Sequence, residues 1–410
     1  MHLPEADRAP SQRTKTSSRP SWLDPPYRLP YYTPQSHQEG ERVAKVCFNV
    51  IIAGGKGTRF WPLSRAHRPK QILKLLSRNS LIRETAERVY PLASRKQTMV
   101  VTIADQLSLL RRELPGVPRN NFIVEPQGKN TAPCIGLAAL EVIRRDAEAV
   151  MIVVPADHWV ADIDAFRKTL KTAVELAGKT DYLITIGIKP DYPETGYGYV
   201  MKNTPIGPKS NAAFVVKRFV EKPTLPVARR LIRQHGLWNS GIFIWKASTL
   251  LAALRRYQPA IYQSLEKIKA AAPRSLTSSA PRLRNAIAEQ YNQMPNVSID
   301  YAVMENAGAE GKVLTLEGQF GWSDVGSWAA VYRMSPKDRN GNASQSRWLG
   351  LDTNNCLIHA PNRLVVLLGV QSTVIVDTPD ALLVADLERS QEVREVVETL
   401  NRERLNSYTT

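Results

Sequence analysis

Four groups of residues in this 410-residue chain are of types and spacings that can do chemistry, and the stretch from Ile51 to Gln71 is the densest. An apolar run from Val46 to Ala53 reads as a buried strand, followed by Gly54, Gly55 and Gly57. Glycines there let the backbone turn sharply and approach a ligand closely. The N–H groups of such a turn, from Ala53 to Thr58, point at anions, and Lys56, Arg59 and Lys70 add positive charge. The chemistry this suits is the binding of a polyphosphate. Neither Gly-x-x-x-x-Gly-Lys-Ser/Thr nor Gly-x-Gly-x-x-Gly spacing occurs here. A plain strand–turn–helix connection would account for the glycines, but not for Thr58-Arg59, Pro62-Leu63-Ser64-Arg65 and Pro69-Lys70-Gln71 at these offsets.

The second group is a pair of carboxylates. Asp157 follows the apolar run Val150–Val154, and Asp324 lies in the small-residue turn Gly321-Trp322-Ser323-Asp324-Val325-Gly326. Two carboxylates from distant segments suit Mg²⁺, which commonly takes one or two carboxylates plus substrate phosphates and waters. Helix capping is the other use of an isolated aspartate. His158 invites a general-base reading, yet a phosphate nucleophile is already ionised near neutral pH. A structural or metal-shell role suits it better.

The third group, Glu125-Pro126-Gln127-Gly128-Lys129-Asn130-Thr131-Ala132-Pro133, follows a strand and opens a helix. Asn130 or Thr131 could cap that helix, with Pro133 in its first turn. The functional reading is base recognition: the Watson–Crick edge of guanine offers two adjacent donors, and a carboxylate such as Glu125 accepts from both. The fourth group reads as a sugar-phosphate pocket. Glu194, Thr195 and Gly196 form a polar turn, Glu221 and Lys222 pair opposite charges at a strand end, and Asn239 adds an amide. A lysine such as Lys222 holds a phosphate as a point charge. A surface ion pair is the alternative for Glu221 and Lys222, and a helix cap the alternative for Asp300.

The elements that must position these groups alternate. Strand-like runs at Val46–Ala53, Thr98–Ile103, Asn121–Glu125, Val150–Val154, Tyr182–Gly187 and Val215–Glu221 are separated by helical patterns. One such pattern has Ile82, Thr85, Ala86 and Val89 on a face, another Ile135, Ala138, Ala139 and Val142. Alternation of this kind predicts an α/β fold with a mostly parallel sheet, which binds ligands beyond the carboxyl ends of its strands. After about residue 335, short apolar runs separated by Asn, Asp, Gly and Pro predict a small all-β unit, then a last helix over about 390–404. Residues 1–44 hold seven of the 28 prolines and no hydrophobic periodicity, which predicts a disordered extension, with a docking element or an upstream-assigned start as alternatives. The expected division is thus 1–44, 45–335 and 336–410.

Bulk properties exclude several classes. No run approaches the roughly 18 apolar residues of a membrane span, and the N-terminus lacks a signal-peptide core. Cys47, Cys134 and Cys356 are scattered, which fits buried thiols in a reducing cytoplasm. The net charge of +17 is dispersed, without aromatic residues interleaved in a basic stripe, so no nucleic-acid partner is expected.

The Gly-Gly-x-Gly-Thr-Arg run ending at Arg59, with Pro69-Lys70 after it, resembles the signature of the sugar-1-phosphate nucleotidylyltransferases. Phe60-Trp61-Pro62-Leu63-Ser64-Arg65, Pro69-Lys70-Gln71, Glu125-Pro126 with Asn130-Thr131-Ala132-Pro133, and Glu221-Lys222-Pro223 resemble its mannose-1-phosphate guanylyltransferase branch. Departures are Ile72 and Thr224, neither of which removes a charged group. The resemblance covers roughly residues 46–403. It implies a Rossmann-like nucleotidyltransferase domain followed by a left-handed β-helix-like module, with GTP and mannose 1-phosphate as substrates and Mg²⁺ as cofactor. It implies phosphate-handling roles for Arg59, Lys70 and Lys222, nucleotide binding by Ala53, Gly54, Gly55, Gly57, Thr58, Glu125, Asn130 and Thr131, and metal ligation by Asp157 and Asp324. Sugar-phosphate binding falls to Glu194, Thr195, Gly196, Glu221, Lys222 and Asn239. A homo-oligomer is expected. Many members carry a further cupin-type isomerase domain; the chain ends before one, so no isomerase activity is expected.

Overall fold

Side chains along the central strands alternate between two buried layers. In the first strand, β1 (Cys47–Ala53), Phe48 and Val50 enter one core, while Cys47, Ile51 and Ala53 enter the other. A strand buried on both faces reads as a continuous apolar run, which is why this one was legible. The structure, a computed structural model, describes residues 47–410 apart from 56, 207–211, 273–274 and 278–280. Expectations for residues 1–44, for Val46 and for the charge of Lys56 lie outside the described residues.

Among the described residues, the main sheet adds β2 (Thr98–Ile103), β3 (Phe122–Glu125) and β4 (Val150–Pro155) to β1. After a short strand β5 (Trp159–Val160), it continues with β6 (Leu183–Ile188), β7 (Tyr199–Ile206), β8 (Ala213–Val220), β9 (Leu237–Lys246) and β10 (Val313–Gly318). Their order is β3-β2-β1-β4-β9-β6-β10-β8-β7. β3, β2, β1 and β4 are parallel, as expected. The other half departs from a mostly parallel sheet: β9 runs antiparallel to both β4 and β6, and β7 and β8 are antiparallel too, so the sheet is mixed. β9 escapes a sequence reading because Asn239-Ser240-Gly241 interrupts its apolar run. The fold satisfies those polar groups internally: Thr185 Oγ1 donates to Asn239 Oδ1 at 2.7 Å, and Ser240 Oγ donates to Ile186 O at 2.8 Å.

Helices cover both faces. Ile135, Ala138, Ala139 and Val142 of the helix Thr131–Arg145 enter one core, and Ile82, Ala86 and Val89 of the helix Leu81–Val89 enter the other. A two-stranded ribbon then joins β5 to β11 (Trp322–Ser323). The C-terminal module comprises β12 (Ala343–Ser344), β13 (Trp348–Leu351), β14 (Leu357–His359), β15 (Val365–Leu368), β16 (Thr373–Asp377) and β17 (Leu382–Asp386). β12, β14 and β16 pair in parallel, as do β13 and β15, in the manner of stacked coils, and a β16–β17 hairpin closes them. A last helix, Val393–Arg402, buries Val393 and Val397. No helix among the described residues is long and apolar enough to cross a membrane.

Candidate active site

Lys70 is the hub. Its side chain is buried, and Nζ lies 2.8 Å from Asp157 Oδ2 and donates to the backbone carbonyl of Asp324 at 2.6 Å. Asp157 sits just past β4, and Asp324 just past β11. The β5–β11 ribbon pairs Trp322 with Val160 and Ser323 with Trp159, which draws the two aspartate segments together. Gly57, at φ +66°, lies directly against Lys70, so that a Cβ there would collide with the lysine's own. Glycine at that point is a requirement of close approach, in addition to its left-handed backbone. Gln71 and Gln106 buttress the same loop: Gln71 Nε2 donates to Gln106 Oε1 at 2.5 Å, and Gln106 Nε2 donates to Gly55 O at 3.3 Å.

The two aspartates are held differently. Burial, the largest single influence, raises the pKa of Asp157, but the charge and hydrogen bond of Lys70, together with His158 and a backbone hydrogen bond, outweigh it and hold the carboxyl below its ordinary value. Asp324 Oδ1 accepts from the Tyr197 hydroxyl at 2.5 Å. Val325, beside it, has φ +49°, a left-handed backbone that a β-branched residue adopts only under constraint. His158 is not a base in waiting. Burial pulls its pKa down to about 4, and its Nδ1 accepts from the Trp322 indole N–H at 3.1 Å, so it is a neutral structural acceptor. The described residues contain no cluster of three or more His, Cys, Asp or Glu suited to a metal. Asp157 and Asp324 with the free oxygens of a phosphate are nonetheless a donor set that suits a hard cation.

On one side of this hub lies Glu125, the last residue of β3, only 3% exposed. Its Oε1 accepts from the Tyr291 hydroxyl, and its Oε2 lies 3.6 Å from where a Cβ of Gly54 would stand. Burial pushes its pKa up to about 7, with the Tyr291 hydrogen bond opposing. Tyr291 already takes part of Oε1, so Oε2 is the oxygen left whole for a ligand. Asn130 takes the capping alternative: at φ +65° its Oδ1 accepts from Thr131 N at 3.0 Å. Thr131 Oγ1 accepts from Ile299 N at 2.8 Å, so it ties two segments together.

On the other side, Glu221, Lys222, Asn239, Asp300 and Glu305 converge. Lys222 Nζ lies 2.8 Å from Glu221 Oε1, Asn239 Nδ2 donates to Asp300 Oδ1 at 2.9 Å, and Glu221 N donates to Glu305 Oε1 at 3.3 Å. Gly198 lets Glu221 approach, since a Cβ there would meet its Oε2. Burial, then Glu221, raise the Asp300 pKa to about 7. Asp300 opens a π-helical turn, Asp300–Met304, and its carboxylate bonds Asn239 and does not act as a side-chain cap. Among the described residues no hydrogen bond joins Glu194, Thr195 or Gly196 to this group; Glu194 Oε1 accepts from Gly196 N at 2.8 Å, which stiffens their own turn.

Arg59 differs most from expectation. It is exposed and lines a depression with Gln391, Arg394, Glu395 and Glu398, with no described bond to Lys70, Asp157 or Asp324. Sequence reasoning passed over Tyr197 and Tyr291 as site residues. A lone tyrosine carries no signal of its own, although Tyr197 directly follows the Glu194-Thr195-Gly196 turn.

Known proteins resemble this chain over most of its length. A family model described as nucleotidyl transferase matches residues 48–341, and one described as MannoseP isomerase/GMP-like beta-helix domain matches residues 346–400. A mannose-1-phosphate guanylyltransferase of Klebsiella pneumoniae is 37% identical over 364 residues, covering 88% of this chain and 75% of the relative. One from Escherichia coli is equally similar, at 37% over 364 residues. A crystal structure titled mannose-1-phosphate geranyltransferase, from Thermus thermophilus, superposes with a TM-score of 0.76 at 34% identity, over 87% of this chain and 99% of that one. With a transferase fold, a β-helix-like module and relatives this similar over most of their length, the chain belongs to the nucleotidyl transferase family, on the branch of the mannose-1-phosphate guanylyltransferases.

Proposed function

We propose that this protein makes GDP-mannose and pyrophosphate from GTP and α-mannose 1-phosphate. The observation that carries the reading is Lys70, bridging the Asp157 carboxylate and the Asp324 carbonyl between a buried carboxylate suited to a base and a polar pocket suited to a sugar. The sugar phosphate oxygen attacks the α-phosphorus of GTP in line. A new P–O bond forms as the bond to the bridging oxygen breaks, and pyrophosphate leaves with that electron pair. No general base is needed, which agrees with a neutral His158. An ammonium has three donors, and two of those on Lys70 are engaged, so one remains for a phosphate oxygen on which charge accumulates. Lys222, exposed beside Glu221, holds the incoming phosphate, and orientation supplies much of the acceleration. Asp157 and Asp324 would hold Mg²⁺, which neutralises phosphate charge. Glu125 Oε2 accepts from the guanine edge, and Asn239 and Glu221 bind sugar hydroxyls. Arg59 joins the phosphates only after leaving its exposed position. Action in the cytoplasm, where Cys47, Cys134 and Cys356 stay free and buried, and assembly into a homo-oligomer belong to the same proposal.

Pyrophosphate release tests it, crossing GTP, ATP, UTP and dTTP with mannose 1-phosphate and glucose 1-phosphate in the presence of Mg²⁺. Release mainly from GTP with mannose 1-phosphate is expected. Preference for another pair would keep the mechanism and overturn the substrates, and silence from folded protein would sink the enzymatic reading. Sedimentation of the same sample decides the oligomer.

A further inference from the structure

The segment between Gly57 and Lys70 is not held by the transferase sheet alone. Phe60, Trp61 and Leu63 share a core with Val374, Val376 and Val397 of the C-terminal module. Polar contacts reinforce this. The Trp61 indole N–H donates to Tyr408 O at 2.8 Å, and Ala66 N donates to Thr409 O at 3.0 Å. Arg65 Nη2 donates to both carboxylate oxygens of Asp380, each at 3.1 Å. Asp380 lies in the β16–β17 turn, where the Thr378 hydroxyl donates to its Oδ1 at 2.9 Å.

Arg65 is the unusual member. Its side chain is 7% exposed and its guanidinium lies 5.6 Å from the Trp61 ring centre. Its Nη1 is buried and finds no acceptor among the described residues, so Asp380 is its one charged partner there. A buried cation that loses its only counter-charge forces its surroundings to rearrange. What surrounds Arg65 leads straight to Lys70. Arg65 and Arg68 exchange two backbone hydrogen bonds of 3.0 Å, Pro69 follows, and Leu73 N donates to Lys70 O at 3.0 Å. One closed turn and one proline separate the Asp380 contact from the lysine at the reaction centre.

We propose that the C-terminal module is a positioning part of the transferase centre: Asp380, acting through Arg65, holds the turn that sets Lys70 against Asp157 and Asp324. The inference rests on the reading of Lys70 given above. The Asp380 end of the pair is 48% exposed, so water can take up part of the lost contact and limit the cost to global stability, whereas a misplacement of about 1 Å at a reacting group costs up to about 100-fold in rate. The contact therefore matters more to turnover than to folding.

The test compares Asp380→Asn, Arg65→Lys and the swap of Arg65→Asp with Asp380→Arg. Arg363→Gln serves as control, breaking the 2.7 Å ion pair to Asp377, built from other residues of the same module. Two readouts are taken: kcat and KM for pyrophosphate release, and the rate of reductive methylation of Lys70, read by peptide mass spectrometry. For Asp380→Asn, kcat should fall on the order of tenfold, with the KM for mannose 1-phosphate and the melting temperature little changed. Lys70 should methylate several-fold faster, and the swap should recover part of kcat. Unchanged kcat and unchanged methylation in Asp380→Asn would overturn the proposal. So would a loss matched by Arg363→Gln in proportion to its melting temperature. A wild type that releases no pyrophosphate would sink the proposed function instead and leave methylation to decide this inference.

Discussion

Asp157 and Glu125 leave parallel strands of one sheet at the same end, yet the fold prepares them for opposite tasks. Asp157 has an ammonium 2.8 Å away, which holds it ionised despite burial. Glu125 has a neutral hydroxyl for a partner, and burial raises its pKa to about 7. Around Asp157 the fixed charges alternate, as suits a triphosphate and a cation. Around Glu125 the described contacts bring no cation, as suits a neutral base read by hydrogen bonds. The difference lies in one partner, and it divides the candidate site into a region that handles charge and a region that discriminates.

Substitutions can break that division. The largest effect is expected from Lys70→Ala, which should lower kcat for pyrophosphate release by roughly 100- to 1,000-fold without unfolding the protein. Near-normal turnover would remove Lys70 from the centre. Asp157→Asn should come next, with turnover lost together with its dependence on added Mg²⁺. A variant that still turns over and still answers a Mg²⁺ titration as the wild type does would dissolve the charge-handling region. Glu125→Gln should act on selectivity instead. Replacing an acceptor by a mixed donor and acceptor should lower the preference for GTP over ATP by about 10- to 100-fold, and an unchanged ratio would leave Glu125 outside base recognition. Lys222→Ala should act less, raising the KM for mannose 1-phosphate about tenfold, since an exposed lysine contributes a point charge that solvent screens.

How much of this was legible in the chain depends on range. Strands such as β1 and β4 announce themselves because both faces are buried, and Asp157 could be placed at a strand end from Val150–Val154 alone. The half of the sheet built from β7, β9 and β10 was not, because β9 carries Asn239 and Ser240 through the core on partners contributed by β6. The meeting of Asp157 and Asp324 depends on a ribbon of two-residue strands too short to have a pattern. The tyrosines on Asp324 and Glu125 are the clearest omission: each acts on a carboxylate more than 100 positions away, and nothing local marks it. Arg59 shows the converse. The motif located the residue, and only the packing of the last helix shows where its side chain lies.

The smallest effect sharpens the comparison most, because it has opposite signs in the two regions. Glu125 binds its proton more tightly folded, with a pKa of about 7, than at the ordinary value of 4.5. Between those values the folded protein keeps a proton that the unfolded chain has lost, so this group's contribution to stability falls as pH rises. Asp300, raised from 3.8 to about 7, adds a slope of the same sign, so the wild type alone cannot separate them. The difference between Glu125→Gln and wild type can: the variant should gain melting temperature relative to wild type as pH rises from about 5 to about 8. Asp157 works the other way. Its folded pKa lies below 3.8, so its contribution is complete at neutral pH and is lost as pH falls through the folded value. The deficit of Asp157→Asn should therefore be full at neutral pH and shrink only in acid. Melting temperatures of the three proteins across pH settle the matter. Parallel curves for Glu125→Gln and wild type would mean that the base-side carboxylate is as ionised as the phosphate-side one, and the two regions would no longer differ in charge.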